Sequence, residues 1–397
     1  MQPLDAVYLQ ILKNLCTDLS EPVPLDGVDP SALYRLAEKH CSLPFLLPYL
    51  NSSRSFCSQT ADEADAALLL SAGTFYTPYF FAPPCEKIPC FLLKGISLAA
   101  NYPIPEYRKL GDLDLYIPEK DAFSRACRIL NAHGYTEEPE ESDHHVTYRF
   151  TFPETGRSFT LELHYRIVGI YQFSRANELV DEIFSASHLK PSFVELYGQT
   201  YPVLPPTENV FYMLHHMLKH YLYSGFGSRL LCDFTLYLER YASEVNFEKI
   251  HFWCRESKIF HLYELILESC RIYFGLSASI DPQVHCSASD CAIFLEKILA
   301  DGDFGSDTQR KIVSSGSYQH TGIHAWFHEG HIQMKLRFPK LHKCVLLWPV
   351  LWVITFFCFL SNTYRIRHTT LRQTLADFRA DNRKTKLLKI FDNNDLQ

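Results

Sequence analysis

The sequence predicts an α+β fold, a small mixed sheet with helical regions before and after it. Three observations carry that expectation. Residues 112–117 (DLDLYI) alternate acidic and apolar side chains, the period of a strand with two unlike faces. Residues 144–152 (HHVTYRFTF) and 157–167 (RSFTLELHYRI) are two strand-like runs joined by Pro153-Glu154-Thr155-Gly156, a good hairpin turn. Apolar residues recur at helical spacing before about residue 85 and after about residue 206. The expected organisation is a helical region over 1–85, an α/β domain over 86–205 and a mainly helical domain over 206–397.

In the first region, VYLQILKNLC and PSALYRLAEKHCSLPFLLPYL have helical spacing, the second opening after Asp29-Pro30. ADEADAALLLSAGTFY predicts a third helix. The pattern changes near Pro83-Pro84. IPCFLLKG reads as a short strand ending in a turn at Lys94-Gly95, followed by a short helix, ISLAANY. The loop PIPEYRKLG leads into DLDLYI. EKDAFSRACRILNAHGY predicts a helix that stops at Gly134. Farther on, ENVFYMLHHMLKHYLY, RLLCDFTLYLERYA and FHLYELILESCRIYFGL read as helices. Residues 280–325 read as loop-rich, and the charged tail 370–391 as an amphipathic helix.

With 397 residues, 47% of them hydrophobic, the chain can bury a large core. A formal charge of -7 argues against broad nucleic-acid binding, which needs a basic surface. The 13 cysteines form no CxxC pair and read as reduced thiols. No basic-then-apolar signal pattern opens the sequence, so a cytoplasmic location is expected. Residues 344–360 (CVLLWPVLWVITFFCFL) are apolar and flanked by basic residues. The stretch is short for a membrane span and contains Pro349. A buried helix is the favoured reading, with membrane contact through 344–360 as the alternative.

The chemistry centres on carboxylates. Asp112 and Asp114 lie two apart on a strand and so share a face. Two carboxylates held together repel unless a cation separates them, and oxygen ligands suit Mg²⁺ or Mn²⁺. A DxD pair is common on solvated strands. Its context sharpens it: Gly111 permits close approach, and Arg108 stands where it could neutralise a phosphate. Glu162 joins the pair if its strand lies beside DLDLYI. Lys94, Gly95 and Ser97 form a strand–helix turn of the kind that takes an anion on backbone N–H groups; an ordinary turn is the plainer alternative.

Among the histidines, His144 and His145 open a strand, and at most one of these neighbours turns into the site. His164 shares the face of Glu162. His216 and His220 share a helix face at a spacing that suits zinc, with Asp233 as a further ligand in a phosphohydrolase-like set. The favoured reading makes His220, Arg229 and Asp233 a buried polar contact between helices.

FLLKG, YRKLGDLDLYI, the His-His pair before a strand and LELHYRI together resemble a poorly characterised nucleotidyltransferase-like family of the DNA polymerase β superfamily. LHHMLKH followed by SRLLCDF resembles the helical segment after that family's catalytic sheet. The resemblance covers roughly residues 90–240. It implies a polymerase-β-type core in which Asp112, Asp114 and Glu162 bind Mg²⁺ or Mn²⁺. It also implies transfer of a nucleoside monophosphate, with AMP from ATP the expected case, to an unidentified small molecule, peptide or protein. One departure stands out: the superfamily's usual Gly-Gly or Gly-Ser turn is Lys94-Gly95-Ile96-Ser97 here. The resemblance leaves open a domain that binds nucleotide or a partner without turnover.

Overall fold

The computed structural model describes residues 2–17, 21–50, 88–302 and 327–365, apart from gaps of one to three residues inside these ranges. The expected helices over 61–76 and 370–391 lie outside the described residues. Helices α1 (Pro3–Thr17) and α2 (Pro30–Lys39) form as their periodicity predicts. Asp29 caps α2 by accepting from the Ser31 N–H, with Pro30 in the first turn.

Among the described residues the sheet has seven strands: β1 (Phe91–Leu92), β2 (Leu113–Tyr116), β3 (Thr136–Glu137), β4 (His145–Thr151), β5 (Ser158–His164), β6 (Ser192–Leu196) and β7 (Gln199–Val203). Their order is β3-β4-β5-β2-β1-β7-β6. The β2–β5 and β1–β7 pairs are parallel and the others antiparallel, so the sheet is mixed. The helix α3 (Ile96–Ala99) is a single turn after β1, and α4 (Lys120–Ala132) connects β2 to β3.

Side-chain alternation sorts the sheet into two faces. Leu113, Leu161 and Leu163 pack with Ala122, Ala126 and Leu130 of α4 in one apolar cluster. The α4 residues recur every fourth position, one stripe of the helix. Tyr116 points to the other face, into a larger cluster built with the helices. Asp114 is two residues from Tyr116 and turns to that same side. That side meets α5 (Ser174–Ile183), α6 (Pro206–Tyr223), α7 (Ser228–Tyr241), α8 (Phe247–Glu256) and α9 (Phe260–Phe274).

The structure corrects the sequence reading in three places. The hairpin β6–β7 and the helix α5 were not expected. Pro202 sits inside β7, and a proline argues against a strand; β7 meets β1 at a single register, Leu92 opposite Val203. Within the stretch expected to be loop-rich, α10 (Ala288–Asp301) forms. Ser287 caps it by accepting from the Asp290 N–H, and Cys291, Phe294, Leu295 and Ile298 are buried.

The third correction concerns residues 344–360. Helix α11 (Trp348–Arg365) holds most of that stretch, yet the stretch is not a buried helix. Leu346 is 89% exposed, and Val350, Val353 and Phe357 are exposed as well. Leu351 is buried, and Trp348 and Trp352 pack against His331. Among the described residues, no helix is long and apolar enough to cross a membrane. No disulfide joins the described cysteines.

Candidate functional site

The parallel register of β2 and β5 places Asp114 directly opposite Glu162, and Tyr116 opposite His164. Period-two alternation then puts Asp112, Asp114, Glu162 and His164 on one face. The antiparallel register of β4 and β5 sets His145 opposite His164.

Lys94 enters this cluster from the end of β1. Its Nζ lies 3.2 Å from Asp114 Oδ1 and 3.8 Å from Asp112 Oδ2. His164 Nε2–H donates to Asp114 Oδ1 at 3.0 Å and lies 3.3 Å from Glu162 Oε2. His145 Nε2 is 3.8 Å from Glu162 Oε1. Asp114 is only 1% exposed, and its Oδ2 is buried without a hydrogen-bond partner.

Burial and the neighbouring Asp112 push the Asp114 carboxyl up to about 6, against the pull of Lys94 and His164. Burial also works against a charged Glu162, but the His164 hydrogen bond and Lys94 outweigh it and hold Glu162 well below the usual carboxylate range. Burial opposes the Lys94 charge, and Asp112 and Asp114 overcome it, so the ammonium stays protonated. The same contest raises His164, through Asp114 and Glu162. The cluster is thus a buried aspartate with two half-buried acids, balanced by a lysine and a histidine.

The turn after β1 holds Gly95 at φ 55°, ψ -117°, a conformation that glycine alone adopts readily. A side chain there would meet the Asp112 carbonyl oxygen at 3.8 Å. Gly111 is different: nothing lies within 4 Å of where its Cβ would stand, so the protein's own packing does not require a glycine there.

Residues 85–275 match a family model described as an uncharacterised nucleotidyltransferase. Over this stretch, just under half of the chain, the protein is similar to that nucleotidyltransferase family. No curated protein matches the chain. A solved crystal structure, of an antigenic nucleotidyltransferase-like protein from Paracoccidioides brasiliensis, is similar over 54% of this chain and 95% of that chain. The two are 13% identical with a TM-score of 0.33, too loose a likeness to bear on the site.

Within residues 85–275, the structure brings together Lys94, Asp112, Asp114, His145, Glu162 and His164. It does not bring Arg108 to them as a phosphate ligand. Arg108 is buried, and its guanidinium donates from Nε and Nη2 to the two carboxylate oxygens of Asp233. Tyr102 donates to the same carboxylate at 2.8 Å. Asp233, expected beside His220 and Arg229, therefore receives partners from the loop between α3 and β2. Ser97 is also committed, its hydroxyl donating to the Lys94 carbonyl at 3.0 Å. With α3 only one turn long, the expected helix N-terminus for an anion is not present in full.

His220 packs edge-on against His216, ring centres 4.4 Å apart. Among the described residues, two groups could hold a metal ion: Asp114, Glu162 and His164, and His144, His145 and His164. The phosphohydrolase-like set of His216, His220 and Asp233 is not one of them.

Sequence reasoning passed over Tyr212 and Lys219. Both interact electrostatically with Lys94, Asp114 and Glu162, and burial with Lys94 nearby lowers the Lys219 amine. A signal was available: Tyr212, His216 and Lys219 fall at i, i+4 and i+7 on α6, one helix face.

Proposed function

We propose that this domain transfers a nucleoside monophosphate from a nucleoside triphosphate to an acceptor hydroxyl, with release of pyrophosphate. The observation that carries the reading is the register of Asp114 opposite Glu162, with Asp112 on the same face. The buried, partnerless Oδ2 of Asp114 fits a cation ligand, since an orphaned carboxylate oxygen is costly otherwise. Asp112, Asp114 and Glu162 would hold Mg²⁺ or Mn²⁺, whose part is to lower the acceptor hydroxyl's pKa and offset phosphate charge. Glu162 stays ionised throughout the neutral range and is ready to act as a ligand. Lys94 keeps its proton and offers a point charge to phosphate oxygens when they displace its contacts to Asp112 and Asp114. His164 orients Asp114 and Glu162 by its position between them. ATP is the first nucleotide to try, and the acceptor is a small molecule, a peptide or a protein.

A second reading, nucleotide or partner binding without turnover, draws on Lys94 itself. An ammonium 3.2 Å from Asp114 supplies part of the charge balance that a metal would. One experiment separates the two. The full chain is incubated with Mg²⁺, each labelled nucleoside triphosphate in turn and an extract of its own cells, beside Asp112→Asn/Asp114→Asn. Pyrophosphate release and label transfer, lost in the variant, support transfer. Nucleotide binding with no release above the variant supports the second reading, and no nucleotide binding at all overturns transfer and leaves only the partner-binding form of the second reading.

A further inference from the structure

A second cluster lies against the carboxylates. One ring nitrogen from each of His144, His145 and His164 lies within 4.8 Å of the other two. The ring centres are 4.4 Å apart for His144–His145, 5.1 Å for His145–His164 and 5.5 Å for His144–His164. The His-His pair was expected to send at most one ring into the site. Both reach it because His144 precedes the first residue of β4, where strict strand alternation has not begun.

The hydrogen bonds around the rings decide which nitrogen is left over. His144 Nδ1–H donates to Asp143 Oδ1 at 2.7 Å, and Asp143 accepts from the Ile170 N–H through its other oxygen. His145 Nδ1 lies 3.1 Å from Ser142 Oγ, which is 3.0 Å from His144 Nδ1 as well. With Nδ1 engaged on both rings, Nε2 is the nitrogen left to bind. On His144, Lys219 Nζ donates to it at 3.0 Å, which places a lone pair on Nε2. A carboxylate behind the far nitrogen of an imidazole is the arrangement that orients histidine ligands in metal sites.

We propose that His144, His145 and His164 form an imidazole site for a transition-metal ion of the zinc class, beside the oxygen-rich pair of Asp114 and Glu162. Imidazole suits zinc-class ions, whereas carboxylates suit Mg²⁺ and Mn²⁺. Lys219 holds the lone pair of His144 in the metal's absence, and its flexible stem lets the ammonium withdraw. On His164, Nε2–H stays with Asp114 and Glu162, and Nδ1, buried without a hydrogen-bond partner, is the nitrogen left to bind; any proton it carries is released to solvent. Nucleotidyl transfer is not assumed, although His164 belongs to both groups.

The test uses the full, untagged chain, stripped with chelator and titrated with Co²⁺ alone. The expected result is one Co²⁺ per chain with the visible absorption of nitrogen ligation. Asp143→Asn weakens binding roughly 10–100-fold, as loss of a supporting carboxylate does. Lys219→Met tightens it, and His144→Gln/His145→Gln abolishes the band while circular dichroism reports an intact fold. Asp112→Asn keeps the band. If that double histidine variant fails to fold, the opposed shifts of Asp143→Asn and Lys219→Met decide. No nitrogen band in the wild type, or one indifferent to those two substitutions, overturns the site. A weak oxygen-type band lost in Asp112→Asn also overturns it, because the ion then sits on the carboxylates alone, and nucleotidyl transfer keeps its own test.

Discussion

Arg108 and Asp233 meet in a buried, two-pronged ion pair, Nε to Oδ1 at 2.7 Å and Nη2 to Oδ2 at 2.8 Å. The pair joins the loop that leads into β2 to the helix α7, across 125 residues of sequence. Removing one partner strands the other charge in the interior. Asp233→Ala is therefore expected to cost about 3–5 kcal/mol of stability. Arg108→Met/Asp233→Leu, which removes both charges, should cost less than Asp233→Ala alone. Urea denaturation of the three proteins measures this, and a double variant as weak as the single one would count against a charge-based explanation.

Lys94 is the cation that stands between Asp112 and Asp114. Lys94→Met leaves two carboxylates facing each other, one of them buried. Its thermal midpoint without divalent ions should fall below that of the wild type. Mg²⁺ should then raise the midpoint by more than it raises the wild type's, because the ion takes over a charge that Lys94 had balanced. At a hundredfold excess over its Kd, a ligand adds about 2.7 kcal/mol. Equal Mg²⁺ gains in both proteins would mean that the carboxylates do not hold the ion.

The carboxylate face was legible because it depends on local geometry alone. A period of two turns Asp112 with Asp114, and Glu162 with His164, whatever the rest of the chain does. The neighbouring strands were legible through the hairpin turn. The Arg108–Asp233 pair was not, because nothing in either local pattern says that a loop docks on a helix far along the chain. Lys219 and Tyr212 were hidden for the same reason, although their shared helix face was there to read. Residues 344–360 mark a different limit. An apolar run specifies a helix that avoids water, but it does not say what covers it, and Val350, Val353 and Phe357 are exposed.

Histidine burial makes stability depend on pH. His215 is fully enclosed, with its Nδ1 3.0 Å from the Tyr171 hydroxyl, and burial pushes its pKa down to about 3. The unfolded chain takes up this proton near pH 6.5, and the folded chain only near pH 3. Between those values the unfolded state binds more protons, so stability rises with pH. The contribution is complete above about pH 6.5 and is lost as pH falls, at about 1.4 kcal/mol per pH unit for one such group. His144 and His145, lowered to about 3 and about 4, act in the same direction. Asp114, raised to about 6, opposes them between its unfolded value and about 6. Unfolding free energies at pH 7 and pH 5 should therefore favour pH 7, and His215→Gln should flatten the difference. An unchanged slope in that variant would rule out His215 as a source.

Gly95 gives the last prediction, since it is where backbone strain and site geometry coincide. At φ 55° and ψ -117° an alanine is strained, by about 1–3 kcal/mol, even though its Cβ would make only ordinary van der Waals contacts, with the Asp112 carbonyl and Leu110. The residue can relieve that strain only by turning its peptide planes. One of those planes joins Gly95 to Lys94, and the Asp112 carbonyl lies 3.8 Å from where the new Cβ would stand. Gly95→Ala should thus lower stability modestly and also weaken Mg²⁺ binding, whereas Gly111→Ala, with open space and no such φ, should do far less to stability. Calorimetric titration with Mg²⁺, set beside thermal unfolding of both variants, checks the two effects together. If Gly95→Ala loses stability yet binds Mg²⁺ as the wild type does, the turn supports the fold without positioning the carboxylates.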